Sequence, residues 1–443
     1  MISPEIFALI TLGILLVMLL SGIQIATSLM VTSVIGVFLV TGRFEVAMNV
    51  LSQAAWATIR QYMFGVIPLF VLMGLLVNLS EVSQELYDAA SVLLKRVRGG
   101  IGITTVVANA IFSATTGVTI ASAVVFTKIA LPQMMRLNYN RKLALGTIAG
   151  SASLGFLIPP SLLMIVYGSQ ADTSIGRLFV AGIIPGLILT VAFIVVILIT
   201  AWRRPSYVPE AEPLTEDERK NYWKIVLKPW MIILLIFCSL GGIWLGFFTP
   251  TEAGGVGAFG AFLIVIIKRK FTFKAMWNTL LSTAASTGRV LILLIAASTY
   301  ARTLAMGGVI DMAGRVIERI DPSPAAVIFV FMLIIIALSS VLDSTSTLLL
   351  TIPLMVPIMN NLGYDLVWFG IVMIVCVSSG LVTPPFGMNV FTVKAATYGM
   401  KGAEDVTLEE AFMGSVPFFF AILFVLVIII IFPQTVMFLP NLM

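Results

Sequence analysis

The sequence predicts an all-α polytopic membrane protein, built as an inverted repeat with two re-entrant helical hairpins and two discontinuous helices. Three observations predict it. Hydrophobic residues fill 59% of the 443 positions and charged residues only 11%, against about 25% charged in soluble domains. Charge-free runs long enough to span a bilayer recur along the chain. Two of these runs carry a proline pair, Pro159-Pro160 and Pro384-Pro385, and the second pair lies 225 residues after the first.

The first pair sits in SASLGFLIPPS (151–161), inside a charge-free run from Leu143 to Ala171. Proline has no N–H, so a helix through 159–160 frees the carbonyls of Gly155 and Phe156, four residues back. Lipid penalises unpaired carbonyls, so broken backbone persists there only where protein or a polar site covers it. A single proline would read as a kink. The second copy, SSGLVTPP (378–385), argues for a discontinuous helix. The 225-residue offset also pairs Ser153 with Ser378, Gly155 with Gly380, Tyr139 with Tyr364, Leu137 with Leu362 and Pro132 with Pro357. Interrupted segments at matching places in two halves mark a transport site.

Composition excludes other classes. There is no histidine, which removes His-based proton relays and His-ligated metals. Cys238 and Cys376 lie in apolar runs, so neither a disulfide framework nor a metal cluster is implied. No nucleophile elbow, phosphate-binding Gly loop or metal spacing occurs. The net charge of +5 comes from Lys and Arg in short loops, a topology signal. The first 42 residues lack a basic n-region and read as membrane helices, not as a signal peptide.

Taken in order, 6–42 holds two helices separated at Ser21-Gly22, and 61–80 holds a third. Residues 80–99 form a polar, basic arm. Two short arms follow, roughly 100–112 and 118–131, around the tip Ser113 to Gly117. Basic residues flank both ends (Lys95, Arg96 and Arg98; Arg136, Arg141 and Lys142), so both ends face the cytoplasm. That is the first hairpin. The discontinuous helix 143–170 and a helix 178–202 come next. Residues 203–224 form a charged cytoplasmic linker. A helix at about 225–247, an external turn 248–252, a helix ending at 268–270 and a span 283–306 follow. The second hairpin has arms 325–341 and 346–359, its tip at Leu342 to Ser346 and an external base. That base holds Arg315, Glu318, Arg319 and Asp321 on one side, and Asn360, Asn361 and Asp365 on the other. The second discontinuous helix runs 366–398 and ends inside, near Lys394 and Lys401. The last helix is 413–432. Ten crossings and two hairpins put both termini outside, with the two halves in opposite orientation.

The breaks offer carbonyls and small hydroxyls, an oxygen-only environment suited to a hard cation. The first set is Ser151, Ser153, Leu154 and Gly155, facing Ser113, Thr115, Thr116 and Gly117. The second is Ser378, Ser379, Gly380 and Thr383, facing Asp343, Ser344, Thr345 and Ser346. Small residues also serve helix packing, and any one serine in 151–153 fits that role equally. A carboxylate at a membrane hairpin tip is costly unless paired or ion-bound, which singles out Asp343. The half-helices starting at Ser161 and Phe386, with Pro160 and Pro385 before them, present free N–H groups to an anion. Together these predict coupled uptake of Na⁺ with an organic anion. Lys128 and Lys394 snorkel, Arg289 and Arg302 anchor helix ends, and Glu252 caps the helix after the external turn.

At GSASLGFLIPPS (150–161), FTPTEAGGVGA (248–258) and GLVTPPFGMNVF (380–391) the chain resembles the large membrane subunit of tripartite ATP-independent periplasmic (TRAP) transporters, the DctM-like family. The resemblance covers essentially the whole chain. The tip ATTG at 114–117 departs from the Ser-Gly-Ser-rich stretch expected of the family. The resemblance implies an elevator-type, sodium-driven secondary transporter in a bacterial inner membrane. It implies a periplasmic substrate-binding protein that delivers an organic acid, such as a C4-dicarboxylate or sialic acid. It also implies a small membrane subunit, here a separate chain. The expected moving block is 100–176 with 320–400, and 1–99, 177–319 and 401–443 form the rest. The competing readings are a stand-alone Na⁺/dicarboxylate symporter of related fold and an antiporter with Asp343 carrying protons. An enzyme is not expected.

Overall fold

A computed structural model describes residues 3–320, 322–400 and 402–443, which are helical with no strand among them. Asp321 and Lys401, named above as flanking charges, lie outside the described residues.

The chain opens with helices Pro4–Leu20 and Ile25–Thr41, separated at Ser21-Gly22 as expected. Ser3 caps the first, accepting from the Ile6 N–H. Next comes Phe44–Arg60, a helix the charge-run reading passed over because polar residues interrupt its apolar face. Tyr62–Leu79 forms the third apolar helix and the arm Val82–Leu94 follows it. Pro250–Ile267 starts at the turn 248–252. Thr249 and Glu252 there form a reciprocal capping box, so Glu252 is a cap as expected. Phe273–Met306, 34 residues long, starts ten residues before the expected 283.

The helix expected at 225–247 is present as the span Tyr222–Trp244, but it is irregular along its length. Its pieces are Tyr222–Val226, Trp230–Ile236, a π segment Phe237–Gly241 and Gly242–Trp244. Pro229 cannot donate to a preceding carbonyl, which ends the first piece. At the other end the Phe247 and Phe248 N–H groups both donate to the Gly242 carbonyl, at 2.9 and 3.1 Å. The Phe248 ring packs where a Cβ on Gly242 would sit.

The 225-residue spacing extends to the helix bounds. Thr119–Arg136 and Ser344–Asn361 start and end 225 residues apart. Gly100–Thr116 precedes the one and Pro324–Ser339 the other. Each hairpin is entered from a short arm helix, Val82–Leu94 or Val309–Ile320. The first interrupted helix is Arg141–Ala152, Leu154–Leu157 and Leu162–Gln170. The second is Leu366–Gly380 and Met388–Ala396.

Packing sorts these helices into two groups. Tyr62–Leu79 lies along Pro250–Ile267, with Leu69 against Gly254 and Met73 against Gly257. Ile25–Thr41 lies along Phe273–Met306, where the Thr303 hydroxyl reaches the Ser33 carbonyl at 3.4 Å. Two lysines hold the arm Val82–Leu94 to this group, as Lys268 and Lys228 bridge Glu85 at 2.6 and 3.3 Å.

The interrupted helices have different companions. Ile175–Arg203 and Leu408–Ile431 both pack on them. Gly146 meets the backbone of Gly414, and Gly150 meets the Phe418 ring. Gly182 and Gly186 admit Leu157 and Ile158 from the first break. Phe193 and Phe418 pack edge to face at 5.4 Å, and the Trp368 indole N–H donates to the Ile429 carbonyl at 2.9 Å. These two long helices, which lie outside the segments 100–176 and 320–400, thus pack on the interrupted helices within them.

Candidate functional site: two helix breaks closed by hairpin tips

Each break is touched by the tip of its own hairpin. In the first repeat, the hairpin turns at Gly117-Val118 alone. Ser113, Thr115 and Thr116 thus belong to the last turn of Gly100–Thr116 rather than to a loop. Gly117 closes that helix in the left-handed region, at φ +60°, where glycine carries no Cβ penalty. Its carbonyl accepts the Leu162 N–H at 3.4 Å, and the Pro160 carbonyl packs against its Cα. In the second repeat the Ser340 carbonyl accepts the Phe386 N–H at 3.1 Å, and Gly380 packs on Ser339. Both proline pairs are joined by a cis peptide bond.

The two breaks differ in what they leave open. Among the described residues, no backbone N–H outside helix interiors reaches the Gly155 or Phe156 carbonyl, the pair freed by Pro159 and Pro160. The equivalent carbonyls of the second break are occupied. The Thr383 N–H takes Gly380 at 3.2 Å and the Asn389 N–H takes Leu381 at 3.1 Å. The hydroxyls mostly turn back onto their own helices. Ser153 donates to Gly150 (2.6 Å), Ser151 to Ile148 (3.3 Å), Thr115 and Thr116 to Phe112 (2.7 and 3.3 Å). Ser378 donates to Ile374 (2.8 Å), Ser379 to Cys376 (2.6 Å) and Thr383 to Ser379 (2.7 Å). Ser113, by contrast, is a fully buried hydroxyl with no partner.

Asp343 is the N-cap of Ser344–Asn361. One carboxylate oxygen accepts the Thr345 and Ser346 N–H groups, both at 3.1 Å, and the other accepts the Ser346 hydroxyl. The matching position of the first hairpin is Val118, which offers no side-chain cap. The charge therefore belongs to one tip only, and it organises that tip's N–H groups.

The half-helix starts are also unequal. The first half-helix starts at Leu162, one residue after the expected Ser161, and Ser161 caps it, its Oγ accepting from the Met164 N–H at 3.5 Å. The second half-helix starts at Met388, two residues after the expected Phe386, because Gly387 at φ +39° takes the cap position. Leu154, Pro160 and Ser161 are buried, whereas Pro385 and Phe386 are exposed. Tyr62–Leu79 covers the first break. Gly74 lies so close to the tip that a Cβ there would stand 2.8 Å from the Thr116 Cα.

Two buried amides were missed by the sequence reading. Asn109 donates to the Ser151 Oγ at 2.9 Å, and Asn389 donates to the Ala149 carbonyl at 3.1 Å. Neither repeats at the 225-residue offset, where Ile334 and Met164 stand, so the search for matched pairs passed over them. Their signal was an isolated amide in an apolar run.

A further cluster of charged groups lies at the base of the first hairpin. A cavity of about 410 Å³ at the base of the first hairpin is lined by Lys95, Arg136, Glu210, Glu212 and Glu218, among others. Lys95 and Glu218 bridge it at 2.7 Å. Burial pushes the Glu218 carboxyl up, but hydrogen bonds from Lys95 and Thr215 outweigh this and hold it below its usual range.

Seven helices among the described residues are long and apolar enough to cross a membrane. With two interrupted helices closed by hairpin tips, they define a multi-pass membrane protein with the build of a secondary transporter. The chain matches the model of the tripartite ATP-independent periplasmic transporter DctM component over residues 12–435, and it belongs to that family. It is 30% identical over 390 residues to the C4-dicarboxylate TRAP transporter large permease protein DctM of Pseudomonas aeruginosa, covering 87% of each chain. It is 29% identical to the sialic acid TRAP transporter permease protein SiaT of Haemophilus influenzae, covering 98% of this chain and 68% of that one. The ectoine/5-hydroxyectoine large permease UehC of Ruegeria pomeroyi is 29% identical and covers 97% of both. Among solved structures, the fold is shared with the YdaH transporter of Alcanivorax borkumensis (TM-score 0.56, 14% identity, 88% of this chain and 90% of that one). It is also shared with MtrF of Neisseria gonorrhoeae (TM-score 0.57, 14% identity, 88% and 85%). The family consists of transport permeases, so this chain is a transporter subunit and not an enzyme.

Proposed function

We propose that this chain is the large permease of a sodium-coupled uptake system of the elevator type in a bacterial inner membrane. It receives an organic acid from a periplasmic substrate-binding protein and works beside a small membrane subunit supplied as a separate chain. The observation that carries the reading is the paired geometry of the breaks. Each hairpin tip hydrogen-bonds the interrupted helix of its own repeat, and the first break leaves two backbone carbonyls open. Open backbone carbonyls are ligands for Na⁺. The positive dipole ends of the half-helices that start at Leu162 and Met388 suit a carboxylate. Relatives named for C4-dicarboxylate, sialic acid and 2,3-diketo-L-gulonate support an acid as cargo.

The packing supports a larger moving block than the sequence suggested. In this reading it comprises the two hairpins, the two interrupted helices and the helices Ile175–Arg203 and Leu408–Ile431. The frame comprises Tyr62–Leu79, Pro250–Ile267 and Phe273–Met306 with the N-terminal helices. In this reading 203–224 is cytoplasmic and 248–252 lies outside, following the distribution of Lys and Arg. An impermeant thiol reagent should therefore label Thr251→Cys in intact cells and leave Ser206→Cys untouched. Labelling of Ser206→Cys would overturn the orientation.

The coupling reading is tested in proteoliposomes with the partner subunit and binding protein. Inward Na⁺ gradients should drive uptake and K⁺ gradients should not. Asp343→Asn removes a charge but keeps an oxygen able to cap Thr345 and Ser346, since Asn caps helices about as well as Asp. The variant should insert and fold, yet lose uptake or need several times more Na⁺. Sodium dependence identical to the parent would remove Asp343 from the ion site.

A further inference from the structure

Asn389 stands where the two interrupted helices meet. It is the second residue of Met388–Ala396, and its side chain is fully buried. Its backbone N–H closes its own break onto the Leu381 carbonyl. Its Nδ2 crosses to the other repeat and donates to the Ala149 carbonyl at 3.1 Å. Ala149 lies in the last turn of Arg141–Ala152, where carbonyls have no partner within the helix. One amide therefore satisfies a helix end in the first repeat and a helix start in the second.

That leaves the Asn389 Oδ1 buried with no donor. The Asn109 Oδ1 and the Ser113 Oγ are in the same condition, and Asn109 is tied to the same helix end through Ser151. Burying an acceptor without a donor is costly. Unpartnered oxygens of two amides, each tied through its NH2 group to the negative end of Arg141–Ala152, suit a hard cation. Such an ion takes oxygen ligands and needs no donor.

We infer that Asn389 couples both interrupted helices to one bound cation. Its Nδ2 positions the end of Arg141–Ala152, and its Oδ1 serves as an ion ligand. The inference rests on the sodium reading above. It goes beyond it by giving the second repeat a direct part in the ion site of the first. Ion binding would then tighten the link between the repeats before the block moves.

The test uses the purified full-length chain in detergent, unfolded by heat across a NaCl series, with choline chloride holding ionic strength constant. The parent should be stabilised with a defined Na⁺ midpoint. Asn389→Ala should raise that midpoint roughly tenfold, the loss expected for one hydrogen-bond-strength contact to a charged group. A lower melting temperature in choline chloride with an unchanged Na⁺ midpoint would mark Asn389 as structural only and overturn the inference. Should the alanine variant not fold, Asn389→Asp decides. It loses the donor to the Ala149 carbonyl but keeps oxygens and adds a negative charge beside the cation, so its Na⁺ midpoint should shift from that of the parent, and an unchanged midpoint overturns the inference. A parent that NaCl does not stabilise overturns the sodium reading and this inference together.

Discussion

Joining Val71→Cys to Leu162→Cys by a disulfide should abolish transport, and reduction should restore it. The two positions line one narrow cavity, Val71 on the frame helix Tyr62–Leu79 and Leu162 at the first break. If the block slides against the frame, these residues separate in every cycle, and a covalent bond stops the cycle completely. A rocking mechanism, by contrast, opens between the repeats and leaves the contact intact. The variant is made with Cys238→Ser, because Cys238 is exposed, whereas Cys376 is buried. Uptake should fall in proportion to the crosslinked fraction. Full uptake with the bond in place would rule out sliding. If the reduced double variant is already inactive, the pair Val71→Cys and Ile165→Cys, which lines the same cavity, replaces it.

Gly146→Ala should cost the protein its assembled state. A Cβ on Gly146 would run into the Gly414 carbonyl, and one on Gly414 into the Lys142 carbonyl. Both obstacles are backbone, which no rotamer change can move. The helices Arg141–Ala152 and Leu408–Ile431 would have to separate along the contact that also seats Gly150 on Phe418. Overpacking of this kind costs about 1–3 kcal/mol, and more where the obstacle is rigid. A large drop in melting temperature, or loss of a monodisperse species on size exclusion, is the expected result. Gly255→Ala is the control. Nothing stands within 4 Å of its Cβ, and it lies inside Pro250–Ile267. There alanine should be neutral or slightly stabilising through its higher helix propensity. Equal behaviour of the two variants would show that the Gly146 contact is not needed.

The same contact shows how far sequence reading reaches. Gly146 and Gly150 have the four-residue spacing of close helix packing, and that spacing is visible in the chain. It does not name the partner, which lies some 268 residues away. The boundary drawn at 401 therefore left Leu408–Ile431 outside the block it packs on. Asn389 and Ala149 are a similar case, because a hydrogen bond across 240 residues leaves no periodic trace. The start of the second half-helix at Met388 follows from Gly387 and the Phe412 ring packed against it, a contact between distant segments. By contrast, the capping role of Glu252 was legible because Thr249 and Glu252 stand three residues apart in one turn.

The sequence by itself determined the membrane class, the two break points, the 225-residue spacing and the family. Each rests on local chemistry: proline without an N–H, charge-free runs in lipid, and short motifs. Only the tertiary structure decided which carbonyls stay open, which helices pack on the breaks, and which amides cross between the repeats. Those outcomes depend on which N–H or side chain arrives from a distant segment, and local patterns carry no record of that arrival.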